Sequence, residues 1–211
     1  MLTIEQARAW YQNADAVHDF DHVRRVYHMA EKLAQAAGAD LEIVRAAALL
    51  HDVEGTTPGE AARHNHHHAS ADFAAQALSA EGWSAERIAA VQHCIRAHRF
   101  RDDREPPATI EAKVLFDADK LDVLGAIGVT RVVVYAALAG EPLYAQPSER
   151  FLRSGEKEPG EPHSAYHEFV FKLVHIKDRL FTPAARAMAE QRHRYLQGFF
   201  DQLKAELDGE R

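Results

Sequence analysis

The sequence predicts an all-α protein. Apolar residues recur at three- and four-residue spacing along most of the chain. No stretch alternates apolar and polar residues convincingly over the length of a strand. The periodic segments are bracketed by helix punctuation, with Ser, Thr or Asp before several of them and glycine after others.

Taken in order, Thr3 and Gln6 form a capping box for a first helix expected to run to about Gln12. A second runs from about Phe20 to Ala37 and stops at Gly38, with Val23, Val26, Met29, Ala30 and Leu33 on one face. Asp40 caps a third, whose Ile43, Ala46, Ala47 and Leu50 point inward. It ends in the pair His51-Asp52. The stretch "EGTTPGEAARHNHHH" reads as a loop, and Ser70 opens a helix closing near Gly82. Ser84 caps "AERIAAVQHCIRAHRF", and "RDDREPPA" is a charged, proline-broken turn. Thr109 caps a long segment apolar on nearly all sides, read as two consecutive central helices; the β-branched run "VTRVVVY" is the one place where a strand competes. Residues 140–163, rich in proline and glycine, are too long for a simple connector and are the expected lid or insertion. A helix from about Ser164 to Phe181 follows, then one from Pro183, capped by Thr182, to about Leu207.

Composition narrows the function classes. The chain has 211 residues, 46% hydrophobic and 27% charged, which suits a globular protein. A net charge of -7 argues against a nucleic-acid polymer as partner but leaves a small phosphorylated ligand open. No apolar run approaches the ~20 residues of a membrane span, and no membrane partner is expected. The N-terminal segment reads as a helix without a signal-peptide core. A single cysteine, Cys94, permits no internal disulfide and fits a cytoplasmic setting. The aromatic-rich "RYLQGFF" near the C-terminus reads as packing or as a face for a homodimer.

The unusual total is histidine: 14 residues, clustered around positions 18–28, 51, 64–68 and 93–98, with four more towards the C-terminus. Four places stand out: "HDFDH" (His18 to His22), His51-Asp52, the triplet His66 to His68 with His93 and His98 beyond it, and "DADKLD" (Asp117 to Asp122). Imidazole nitrogen and carboxylate oxygen together suit borderline divalent ions. A carboxylate entering an apolar segment, as Asp119 does, is costly without a cation to offset it.

The ordered blocks "HDFDHVRRV", "AALLHD", "HCIRAHRF" and "DADKLDVLGAIGVTR" resemble the HD-domain superfamily, and within it the small bacterial cytosolic metal-dependent phosphohydrolases. The resemblance covers roughly residues 14–180. It implies a single helical domain over 1–211, with the helices of 164–207 added at its C-terminal end. It also implies that His22, His51, Asp52 and Asp119 hold one divalent metal, with Mn2+ the first expectation and Fe2+, Co2+, Ni2+, Mg2+ or Zn2+ alternatives. Asp119 is preferred to Asp117 because it matches the Asp of the family's Asp-basic-Leu segment. A second metal is less expected; His68, His93 and His98 would either complete its site or hold phosphate.

Hydrolysis of a phosphate ester or phosphoanhydride, most naturally of a nucleotide, is the implied reaction. Asp52 and Lys120 are the expected catalytic pair. His18, His68, His93, His98, Lys120 and Arg131 are the expected substrate contacts. His18 lies four residues from His22, one turn apart on a shared face. His93 and His98, five apart, are not expected to face one metal together. A di-iron oxygenase and a non-catalytic nucleotide- or metal-sensing module are the competing readings.

Overall fold

A computed structural model of the chain describes residues 2–11, 19–54, 65–99 and 104–211. Every regular element among them is helical: α1 (Ile4–Arg8), α2 (Phe20–Ala37), α3 (Leu41–Leu50), α4 (His66–Ala80), α5 (Ala85–Ala97), α6 (Ile110–Leu121), α7 (Gly125–Leu138), α8 (Glu149–Ser154), α9 (Ala165–Phe171), a 3-10 helix (Leu173–Arg179) and α10 (Pro183–Leu207).

Local chemistry accounts for most boundaries. Thr3 and Gln6 make the capping box of α1, Asp40 accepts the N–H groups of Glu42 and Ile43, and Ser84 accepts that of Arg87. Gly38 ends α2 at φ 68°, a left-handed conformation that glycine adopts without steric cost. Three expectations are corrected, and the choice left open in the β-branched run is resolved in favour of the helix. Helix α1 stops at Arg8, short of Gln12, so Trp10 and Tyr11 lie beyond the helix. Helix α4 opens at His66, and Ser70 is a buried residue inside it whose hydroxyl accepts the Glu54 N–H at 3.1 Å. The competing β-branched run is helical, within α7. The segment after Ser164 divides into α9 and the 3-10 helix.

The chain forms two compact units. The first comprises residues 1–120 with 180–185. In it α2 packs on α3, α3 on α4 and α5, and α4 on α5. Its core holds Val23, Val26 and Leu33 of α2, Leu50 of α3, Leu78 of α4, Ile95 of α5 and Leu115 of α6, all fully buried. Each such side chain contributes about 1.5–3 kcal/mol relative to exposure. Arg87 of α5 ties itself to Asp40, the α3 cap, at 3.1 Å.

The second unit comprises residues 121–179 with 186–211. Phe169 of α9 stacks on Phe200 of α10 at 4.2 Å, and Phe151 of α8 packs against His167 at 4.7 Å. Within residues 140–163 the Glu161 carboxylate accepts the N–H groups of Ser148 and Glu158 and the Ser148 hydroxyl. No single helix among the described residues is long and apolar enough to cross a membrane.

Candidate metal centre

Five helix ends of the first unit deliver the side chains that matter. His22 stands in the first turn of α2, where the Asp19 carboxylate accepts its backbone N–H at 3.1 Å. His51 caps the C-terminus of α3 and Asp52 follows it. His66 opens α4, His98 caps the end of α5, and Asp119 lies in the last turn of α6.

Backbone carbonyls orient two of the rings. His51 Nδ1 donates to the Ala48 carbonyl at 2.8 Å, and His98 Nδ1 donates to that of Ile95 at 2.5 Å. A carbonyl oxygen only accepts, so Nδ1 carries the proton and the neutral ring presents a lone pair at Nε2. Burial lowers the pKa of His98 more than the Asp52 carboxylate raises it, which favours that neutral form.

These Nε2 atoms converge on carboxylates in two groups: His22, His51 and Asp119, and Asp52, His66 and His98. In the first group His22 Nε2 lies 3.4 Å from His51 Nε2 and 3.5 Å from Asp119 Oδ1. In the second, Asp52 Oδ1 lies 3.1 Å from His66 Nε2 and 3.5 Å from His98 Nε2. Asp52 joins the two groups, because its Oδ2 faces His51 Nε2 at 3.7 Å and His22 Nε2 at 3.9 Å. Despite these neighbours, Asp52 Oδ1 is buried and accepts no hydrogen bond.

Lone pairs facing carboxylate oxygens repel unless a cation lies between them. Donors bound to one ion at about 2.1 Å stand about 3.0–3.5 Å apart, close to the spacing within each group. The donor set, its spacing and the unsatisfied Asp52 oxygen therefore fit a divalent metal. Burial by itself raises the Asp52 carboxyl; protonated His51, His66 and His98 would outweigh it and hold the group well below its ordinary value, and with neutral rings that compensation falls to a bound cation. Asp119 behaves alike: burial raises its pKa, and Lys120 followed by the surrounding histidines lowers it further.

The other expected residues are distributed differently. Lys120 Nζ pairs with Asp119 Oδ2 at 2.5 Å, so it sits at the edge of the first group. His98, expected to touch substrate, belongs to the second donor group. His68 is exposed with its ring 4.2 Å from that of His67, and His66 is the member of the triplet brought to Asp52. Reading Ser70 as the cap hid this, since the true first turn begins at His66. His93 joins neither group: Nδ1 is 2.7 Å from Glu105 Oε1, and Nε2 accepts the Ala108 N–H at 3.1 Å. Arg131, in the second unit, forms a 2.7 Å ion pair with Asp122. Asp117, the alternative last ligand, accepts the N–H groups of Phe181 and Thr182 and the Thr182 hydroxyl, which organises the start of α10. His18 lies outside the described residues.

Comparisons with known proteins place the same part of the chain in a known family. The HD domain family model matches residues 19–124, a span that contains every donor above. Bacillus subtilis YpgQ is 33% identical over 97% of this chain and 94% of its own. Its crystal structure in complex with ADP gives a TM-score of 0.75 at 31% identity, covering 98% of this chain and 99% of that one. The crystal structure of an HD-superfamily hydrolase from Bacillus thuringiensis gives 0.69 at 30% identity, covering 97% and 96%.

Proposed function

Because the chain belongs to the HD domain family, we propose that it is a metal-dependent phosphohydrolase cleaving a phosphate ester or phosphoanhydride of a nucleotide. The observation that carries this reading is the Asp52 carboxylate, buried between two imidazole groups with one oxygen lacking any hydrogen bond.

In this reading His22, His51, Asp52 and Asp119 hold the ion, with Mn2+ the first choice for a mixed nitrogen and oxygen donor set. When bound, the ion supplies Lewis acidity toward a phosphoryl oxygen and acidifies water. The protein's own contribution is positional and electrostatic. The backbone carbonyls of Ala48 and Ile95 fix two imidazole tautomers before any ligand arrives. Asp52, held ionised, is an anchor for the ion and an acceptor that orients the attacking water. Lys120 places a positive charge beside Asp119, where it offsets charge developing on the transferred phosphoryl group.

The nucleotide assignment draws its support from the ADP bound to the Bacillus subtilis relative. Closure of residues 140–163 over substrate, a homodimer and a cytoplasmic setting belong to the same proposal. Closure predicts that substrate protects the segment between Gly140 and His163 from protease; unchanged cleavage would make it a spacer.

The test is a metal-depleted preparation resupplied with Mn2+ and assayed on p-nitrophenyl phosphate and nucleoside mono-, di- and triphosphates. Release of phosphate from monophosphates or of pyrophosphate from triphosphates supports the reading and separates its two forms. No turnover across the panel sinks it. The group of Asp52, His66 and His98 keeps the di-iron oxygenase reading alive, since that chemistry requires a second set of donors. Two irons per chain with oxygen consumption would favour it. Metal binding with neither activity would point to a sensing module.

A further inference from the structure

We propose that Tyr11 is a positioning residue for the metal-binding turn, its hydroxyl holding the end of α3 so that His51 and Asp52 meet His22. The inference rests on the metal reading of the donor groups and is independent of the reaction assigned to them.

The last carbonyls of a helix have no partner within it. At the end of α3 the Ala48 carbonyl takes His51 Nδ1 at 2.8 Å, and that of Leu50 takes the Val53 N–H at 3.5 Å. Both donors are local. The Leu49 carbonyl between them takes the Tyr11 hydroxyl at 2.9 Å, a donor 38 residues earlier in the chain. That oxygen lies two residues before His51, so the phenol grips the backbone that aims the His-Asp pair.

The same short segment touches two more donor-bearing helices. The Tyr11 ring packs 5.4 Å from Phe20, the first residue of α2 and two residues before His22. Trp10 meets Phe73 of α4 edge-on at 5.2 Å, on the helix that His66 opens. Tyr11 and Trp10 thus brace the ends of α2 and α3 and the body of α4 from one side. Both residues lie before the 19–124 span of the family model, so the brace comes from outside the segment that supplies the donors.

The experiment is a Mn2+ titration of metal-depleted full-length protein, followed by calorimetry and by the electron paramagnetic resonance spectrum of the bound ion. Wild type, Tyr11→Phe and Leu33→Val, a core change of α2 outside the brace, are compared. Tyr11→Phe should weaken Mn2+ binding about tenfold, as losing a group that orients ligands does, and should change the zero-field splitting of the bound ion. Leu33→Val should lower the melting temperature while leaving affinity and spectrum as in wild type. Equal affinity and spectrum in wild type and Tyr11→Phe would overturn the inference and leave the metal reading standing. Equal weakening in both variants would overturn it as general loosening. A wild type that binds no Mn2+ would remove the metal reading first. Should Tyr11→Phe not fold, hydrogen exchange of the wild type decides. Mn2+ should protect residues 2–11 together with 49–54, and protection confined to 49–54 would overturn the proposal.

Discussion

Asp52 concentrates the physical argument at the scale of the residue. Its two oxygens face different imidazole groups, so one substitution weakens both. Asp52→Ala should lose bound metal, measured by elemental analysis after dialysis. It should also lower kcat/KM by more than the roughly hundredfold that removing an outer-sphere partner can cost. Glu161 supplies a prediction in the other unit. The backbone N–H of Ser148 first, then Glu158, the Ser148 hydroxyl and His167, lower its pKa from 4.5 to about 2 against the opposing effect of burial. A depressed carboxyl stabilises the folded state above its unfolded pKa and loses that contribution as pH falls through the folded one. Urea midpoints of wild type and Glu161→Gln should therefore differ most above pH 4.5 and converge near pH 2. Periodicity and capping placed His22, His51-Asp52 and Asp119 near helix ends, but their selection as a set came from the resemblance to the HD-domain superfamily. His66 was not legible, because nothing local distinguishes it from its two histidine neighbours.

Elements show the same division. Helices α2 and α3 match their expected bounds because Asp40, Gly38 and a clean apolar face act within a few residues of one another. Helix α4 starts earlier than Ser70 suggests, and Asn65 before it makes no side-chain cap. The Ser70 hydroxyl instead serves Glu54, a contact sixteen residues away that no local pattern announces. In α7 a β-branched run is helical, as tertiary packing can override propensity. Gly128 in that helix gives a test whose sign depends on structure. Helix propensity alone makes Gly128→Ala stabilising by about 1 kcal/mol. A Cβ there would be driven into the Val123 carbonyl, so the substitution should destabilise by about 1–3 kcal/mol, read from urea unfolding.

At the scale of the whole molecule, the donors all belong to one compact unit, so metal occupancy should set that unit's stability. Free ion at a hundred times its Kd contributes about 2.7 kcal/mol, roughly 5–10 °C in a chain of this length. Chelation should lower the melting temperature by that amount in wild type, and by nothing measurable in Asp52→Ala. By itself the sequence determined the helical class and most helix starts and stops. Those properties follow from spacing, capping and burial patterns within a turn or two. Only the tertiary structure decided that His66 and His98 share Asp52, that Asp117 organises the start of α10, and that Tyr11 reaches Leu49. Each of these joins atoms many residues apart, and a distance of about 3 Å between them exists only once the helices that carry them have packed.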